Sequence, residues 1–210
     1  METPPLEPGL TFVAQPDGRG GVAALARHAD ATETLWVDTR GAASTYALTA
    51  DADRSALRGL RIARAFTAHQ HHALVRRAVD AATARTDLVV APNLAALYEA
   101  ADGPDAELDR LYAATCSLLS ALAESTGVPV LAGAPDATDA HRQTLREAAA
   151  REVTCRPTDF GYAVDAPGFT QSGYWGEGWW QTTIPYWVEV CGAAGTPAPA
   201  TADPVAVAVE

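Results

Sequence analysis

The chain has no lysine. All 15 of its basic residues are arginine, set against 26 acidic residues, and the formal charge is −11. A broad cationic surface working by counterion release is therefore disfavoured, and a nucleic-acid partner would need stacking or shape contacts. No apolar run approaches the roughly 20 residues that span a bilayer, which excludes a helical membrane segment. Residues 1–9 carry Glu2, Glu7 and three prolines, without a basic or an apolar region, so no secretory leader is expected. Cysteine occurs only at Cys116, Cys155 and Cys191. The odd number and wide spacing fit neither a zinc site nor a disulfide framework, and reduced, buried thiols in a cytoplasmic protein are the expectation. No Ser-His-Asp order, paired carboxylates, H-E-x-x-H motif or internal repeat is visible. No metal or cofactor is expected.

What is present is a globular composition, 48% hydrophobic, at a length that suits one domain with a full core. The acidic, Arg- and Ala-rich, Lys-free usage fits a halophilic archaeal protein, with an acidic actinobacterial protein as the alternative.

Leu10 to Ala14 (LTFVA) reads as a short strand. The glycine-rich turn Gln15 to Gly21 (QPDGRGG) and a helix over 22–29 follow. Leu35 to Asp38 is a second strand, ending in Thr39-Arg40-Gly41. Ser55 to Ala65 reads as a short helix and then an apolar stretch. Ala68, Leu74, Val75, Ala78 and Val79 recur near the 3.6 period and predict a helix over 67–84. Asp87 to Ala91 (DLVVA) is apolar throughout, as a strand buried on both faces should be. A helix over 108–125 stopped by Gly127, a strand over 128–132 and a helix or lid over 139–152 complete the run.

This alternation predicts an α/β fold, a mainly parallel central sheet flanked by helices. Sites in such sheets lie beyond the carboxyl ends of strands, where Gln15–Gly21, Thr39–Gly41, Pro92–Asn93 and Gly133–Pro135 fall. After Val153 the texture changes: Phe160 to Trp187 holds nine of the 15 aromatic residues. Alternation in Thr182 to Val190 predicts strands, a C-terminal aromatic-rich β-hairpin closing the sheet edge. Residues 1–192 read as one domain, with a core over 10–152 and a β extension over 153–192. An Ala/Pro-rich tail, 193–210, is expected to be flexible.

Three segments carry a family likeness: Leu35 to Gly41 (LWVDTRG), Ile62 to Val79 (IARAFTAHQHHALVRRAV) and Leu88 to Tyr98 (LVVAPNLAALY). In order and spacing they resemble the archaeal RadA/RadB branch of the RecA recombinase family, over residues 10–135. The resemblance implies a RecA-like P-loop NTPase core. The departures from it are specific. A P-loop needs G-x-x-x-x-G-K-[ST], with backbone amides, Lys and hydroxyl holding the phosphates and Mg²⁺. The corresponding turn here is Ala14-Gln15-Pro16-Asp17-Gly18-Arg19-Gly20-Gly21. Gly20 and Gly21 stand at the Lys and Ser/Thr positions. Asp17 would repel phosphate, and Arg19 is a poor substitute for an ammonium in a tight loop. The family's Walker B carboxylate falls on Pro92, next to Asn93. Its water-orienting carboxylate falls on Arg40, and its Asn-Gln pair falls on Gly133-Ala134. A non-catalytic pseudo-ATPase is therefore expected, without catalytic residues. The implied role is accessory, in DNA recombination or repair, through single-stranded DNA or an active RadA-type recombinase, and oligomers are among the expected states. The alternative is a regulatory protein–protein interaction module with no DNA role.

Candidate contact surfaces follow. Arg54, Arg58, Arg61, Arg64, Arg76 and Arg77 form a basic island without intervening acid, or else a solvated face paired with carboxylates elsewhere. Tyr174, Trp175, Trp179 and Trp180 sit among glycines and could stack on bases, serve a protein interface, or cap the core. His69 and His72 share a helix face, but no third ligand completes a metal set, so a structural role suffices. Arg142, Arg146, Arg151 and Arg156 follow the strand over 128–132, where the resembled family has DNA-contacting loops, but Arg142 and Arg146, interleaved with Glu147 and Glu152, read as an ordinary salt-bridged helix.

Overall fold

The protein is described by a computed structural model, for residues 3–15, 20–29, 31–41, 59–158, 161–169, 173–176 and 179–182. Its strands are β1 (Gly9–Ala14), β2 (Thr34–Asp38), β3 (Leu60–Arg64), β4 (Leu88–Ala91), β5 (Pro129–Gly133), β6 (Arg151–Thr158) and β7 (Gly161–Asp165), with a separate pair β8 (Gly173–Gly176) and β9 (Trp179–Thr182). The helices are α1 (Gly21–His28), α2 (Ala68–Ala81), α3 (Ala96–Glu99), α4 (Asp105–Thr126) and α5 (Asp139–Ala148).

Seven strands form one sheet in the order β3-β2-β4-β5-β1-β6-β7, parallel except for β7. Alternate residues of the inner strands feed two cores. Leu10, Phe12, Leu35, Val37, Val89, Ala91, Val130 and Ala132 pack under α2, α4 and α5. Val13, Trp36, Leu88, Val90 and Leu131 pack on the opposite face with Val22 and Leu25 of α1. Burial on both faces is why these strands read as continuous apolar runs. The chain leaves β1 across β5 and β4 to reach β2, then returns through β4 and β5 to β6 on the far side of β1. Right-handed crossovers taken in opposite directions place their helices on opposite faces. That reversal opens a crevice at the carboxyl ends of β1, β5 and β4.

Local signals explain the helix limits. Thr67 caps α2 by accepting from the Gln70 amide, and Thr138 caps α5 by accepting from the His141 amide. Gly127 ends α4 at φ 70, a left-handed conformation that disfavours other residues.

Two expectations change. The apolar part of 55–65 is the parallel edge strand β3, which only pairing with β2 reveals. The helix or lid expected over 139–152 ends at Ala148, and Glu152 lies in β6, drawn into the sheet by pairing with β1. The far edge of the sheet is closed by antiparallel β7 along β6. The hairpin expected within 182–190 falls, past Thr182, outside the described residues, as do the 193–210 tail and Cys191. Among the described residues no helix is long and apolar enough to cross a membrane.

Leu131 is fully buried in central strand β5. Leu131→Ala should lower unfolding free energy by about 2–5 kcal/mol, read from urea denaturation followed by fluorescence.

Candidate functional site

The segment that resembles a P-loop joins β1 to α1. Of its residues, Gln15, Gly20 and Gly21 are described, whereas Pro16, Asp17, Gly18 and Arg19 lie outside the described residues. A helix begins with backbone N–H groups that lack intrahelical acceptors, and its dipole favours negative charge there. In α1 the first two of these donors are met from within the chain. The Gln15 side-chain Oε1 accepts from the Gly21 amide at 2.7 Å and from the Val22 amide at 3.4 Å. Gln15 is itself buried. Its carboxamide oxygen takes the place at the helix N-terminus that otherwise favours an anion.

The two glycines are also enclosed. A methyl group on Gly20 would overlap the Tyr162 hydroxyl, which reaches over from β7. One on Gly21 would come within 2.8 Å of Cys155 Cβ and 2.9 Å of its sulfur. A side chain at either position would require Tyr162 or Cys155 to shift. Burial raises the Tyr162 phenol above its ordinary range, with Cys155 adding to the shift and Arg27 opposing it. Burial likewise pushes the Cys155 thiol up to about 11, so both groups are neutral at physiological pH. Cys116 and Cys155 are free and buried.

The neighbouring strand ends are tied together. Asn93 donates from Nδ2 to the Thr39 carbonyl at 3.3 Å, and Thr39 Oγ1 donates to the Asn93 carbonyl at 2.8 Å. The Leu94 amide donates to the Gly133 carbonyl at 2.8 Å. A Cβ on Gly133 would lie 2.6 Å from Val22, 2.7 Å from Gln15 Nε2 and 2.9 Å from the Pro92 carbonyl. Pro92 and Asn93 are buried, at the end of β4 as expected. Gln15 Nε2 and Asn93 Oδ1 are buried without a hydrogen-bond partner.

A polar seam runs through the helical layer on the other face. His71 Nδ1 meets Tyr98 Oη at 3.0 Å, Tyr98 Oη meets Thr115 Oγ1 at 2.8 Å, and His72 Nδ1 meets the same Oγ1 at 2.9 Å. Tyr112 then donates to the His141 carbonyl. The His141 ring lies between Glu99 Oε1 at 2.9 Å and Asp109 Oδ1 at 3.0 Å. For Glu99, burial acts to raise the carboxyl, but bonds from the Thr138 amide and His141 prevail and hold it below its usual range. The helix periodicity marks His71 as inward, yet the sequence offers no sign of its partners, which come from α3 and α4. His72 is committed to Thr115 and His69 is exposed, so the pair that shares a helix face is not drawn together on a metal site. Among the described residues no group of three His, Cys, Asp or Glu could hold a metal ion.

The basic island divides. Arg61 and Arg64 lie on β3 and pair with Glu33 at 3.7 Å and buried Asp38 at 2.6 Å. Arg76 and Arg77 are exposed on α2, and Arg54 and Arg58 lie outside the described residues. Arg142 and Arg146 on α5 pair with Asp139 and Glu152, and Arg151 and Arg156 on β6 pair with Glu7 and Asp165. Tyr174, Trp175, Trp179 and Trp180 fall on β8 and β9, whose antiparallel register sets Trp175 opposite Trp180.

The seven-stranded, mostly parallel mixed sheet flanked by helices is an architecture consistent with the Rossmann and P-loop-like α/β class. No family model and no curated protein matches the sequence.

Gly20→Ala should destabilise the protein, and in a Tyr162→Ala background the same change should cost far less. A double-mutant cycle in urea reads the coupling. The His71 imidazole is lowered from 6.5 to about 4 by burial, with His72 adding to the shift. The unfolded chain therefore binds more protons between these values, and the stability from neutral His71 is lost as pH falls from 6.5 toward 4. His71→Gln should flatten the stability profile in that window, measured by urea midpoints.

Proposed function

We propose that this chain is a non-catalytic RecA/RadA-like protein that acts as an accessory in DNA recombination or repair, by binding DNA or an active RadA-type ATPase. The observation that carries the reading is the occupied α1 N-terminus, where Gln15 caps the helix and Tyr162 and Cys155 fill the space beside Gly20 and Gly21. Phosphoryl transfer depends on charge stabilisation at that position, and the chain has no lysine to supply it. The sheet order supports the family likeness in one respect: β1 and β4, which align with the P-loop and Walker B strands, are separated by β5. No cofactor or metal enters this reading.

A specific observation favours the second reading, a regulatory protein–protein interaction module without a DNA role. Phe66 is 75% exposed and Ile62 38% exposed, both on or just after edge strand β3, while Arg61 and Arg64 are spent on carboxylates. An apolar edge beside neutralised arginines suits a protein better than a phosphate backbone.

Isothermal titration should detect no MgATP binding at millimolar nucleotide, and Gly20→Lys with Gly21→Thr should not create it. Micromolar MgATP affinity in the wild type would overturn the reading. Single-stranded DNA titrated at high salt, with quenching of tryptophan fluorescence, supports the DNA role. Capture of a purified RadA-type ATPase without that quenching supports the accessory role through protein contact. Absence of both defeats the accessory role.

A further inference from the structure

Strand β3 is an edge of the sheet. It pairs with β2, and among the described residues no strand lies beyond it. The Gly59 carbonyl accepts from the Thr34 amide and the Ala65 amide donates to the Asp38 carbonyl, so the odd-numbered residues turn their backbone groups toward β2. By the alternation of a strand, the N–H and C=O of Leu60, Ile62 and Arg64 point away from it. Such a row of outward groups is a template for another strand. The two large hydrophobic side chains exposed among the described residues stand at the same edge, Ile62 within β3 and Phe66 just past it. On the α2 side the edge borders an apolar groove of about 230 Å³, with Leu35, Val37, Ala63, Leu74 and Ala78 in its walls. Arginines on an edge strand ordinarily keep other chains away, but Arg61 and Arg64 are matched by Glu33 and Asp38 of their own chain.

The sequence of the edge decides what fits it. An antiparallel copy of Leu60-Arg61-Ile62-Ala63-Arg64 centred on Ile62 sets Ile62 opposite Ile62, Leu60 opposite Arg64 and Arg61 opposite Ala63. All three outward residues then face outward residues, so each outward N–H and C=O finds a partner. No two arginines stand directly opposite, and two β-branched side chains meet at the centre. Centring on Arg61 or Ala63 would turn groups already bonded to β2 toward the joint. Centring on Leu60 or Arg64 would engage fewer residues of β3, and in the second case would set arginine against arginine. Arg61 of the second copy lies beside Ala63, with its aliphatic stem toward the groove. We propose that β3 is the joint of a two-fold dimer, in which a second copy of this chain adds its own β3 antiparallel about Ile62 and the two sheets become one. The dimer rests on the exposed edge behind the protein-interaction reading, and its partner is the chain itself. Each copy carries −11, so association works against a repulsion that salt screens. Short strands make a small joint, and the dimer is a weak one.

Sedimentation equilibrium of the full chain in low and high sodium chloride tests this. The expected result is a reversible monomer–dimer equilibrium, with a Kd of about 100 μM or tighter in high salt and about tenfold weaker in low salt. Ile62→Glu sets two carboxylates face to face and should weaken association by about tenfold or more, with circular dichroism unchanged. Should that variant unfold, Ile62→Cys in a Cys191→Ser background gives an independent measure. Opposed residues of an antiparallel pair lie about 5.5 Å apart at Cα, within disulfide reach, so mild oxidation should yield a covalent dimer. Ser117→Cys in the same background, exposed on α4, should not. A monomer at every concentration and salt, association unchanged in a folded Ile62→Glu variant, or crosslinking of Ile62→Cys no faster than of Ser117→Cys would each overturn the proposal. A strictly monomeric chain that still captures a RadA-type ATPase would sink the dimer and leave the accessory reading standing.

Discussion

The organisation of the site rests on one hydrogen bond, from the Gly21 amide to the Gln15 carboxamide. A helix whose first N–H groups point into a buried crevice must find acceptors, and the uncapped end of α1 would be costly. P-loop proteins meet that demand with a phosphate, which enters and leaves. A covalently attached amide oxygen meets it permanently. Once Gln15 holds that position, glycines suffice at 20 and 21, and β6 and β7 can bring Cys155 and Tyr162 against them. Gly133 completes the enclosure, since any side chain there would collide with Gln15, Val22 and the Pro92 carbonyl.

The two faces of the sheet are held by different means. Around α1 the core is almost wholly aliphatic and aromatic. Between α2, α3, α4 and α5 a chain of rings, His71, Tyr98, Tyr112 and His141, runs at centroid separations of 5.6, 5.3 and 4.4 Å. Hydroxyl and imidazole groups within it bond one another, apart from the buried His71 Nε2, which makes the helical layer specific in orientation and not merely apolar. Burial pushes the Tyr98 and Tyr112 phenols upward and the Cys116 thiol to about 12, so the seam stays neutral until it reaches His141 and its carboxylates. That charged end also steadies Glu99, which lines a cleft at the carboxyl edge. Among the described residues the carboxyl edge of the sheet is therefore filled at β1 and indented between the segments that follow β2, β4 and β5.

By itself the sequence determined the class of fold. LVVA and VLA runs are apolar at every position because both sheet faces are covered, and that pattern needs no partner to be read. Thr67, Thr138 and Gly127 likewise announce helix limits through their own chemistry. The absence of lysine and the glycines at 20 and 21 were legible in the sequence. What packs against those glycines was not. Tyr162 lies far along the chain from Gly20, and only the antiparallel turn of β7 along β6 brings it there. Arg61 and Arg64 looked like part of a basic surface until pairing of β2 with β3 set Asp38 beside Arg64. Strand β3 itself was ambiguous, since LRIAR has no strong period and its pairing partner decides its state. Local pattern fixes which residues turn inward, because burial follows periodicity. Which inward groups meet, and whether they fill a cleft or leave it open, depends on contacts between distant segments that only the tertiary structure creates.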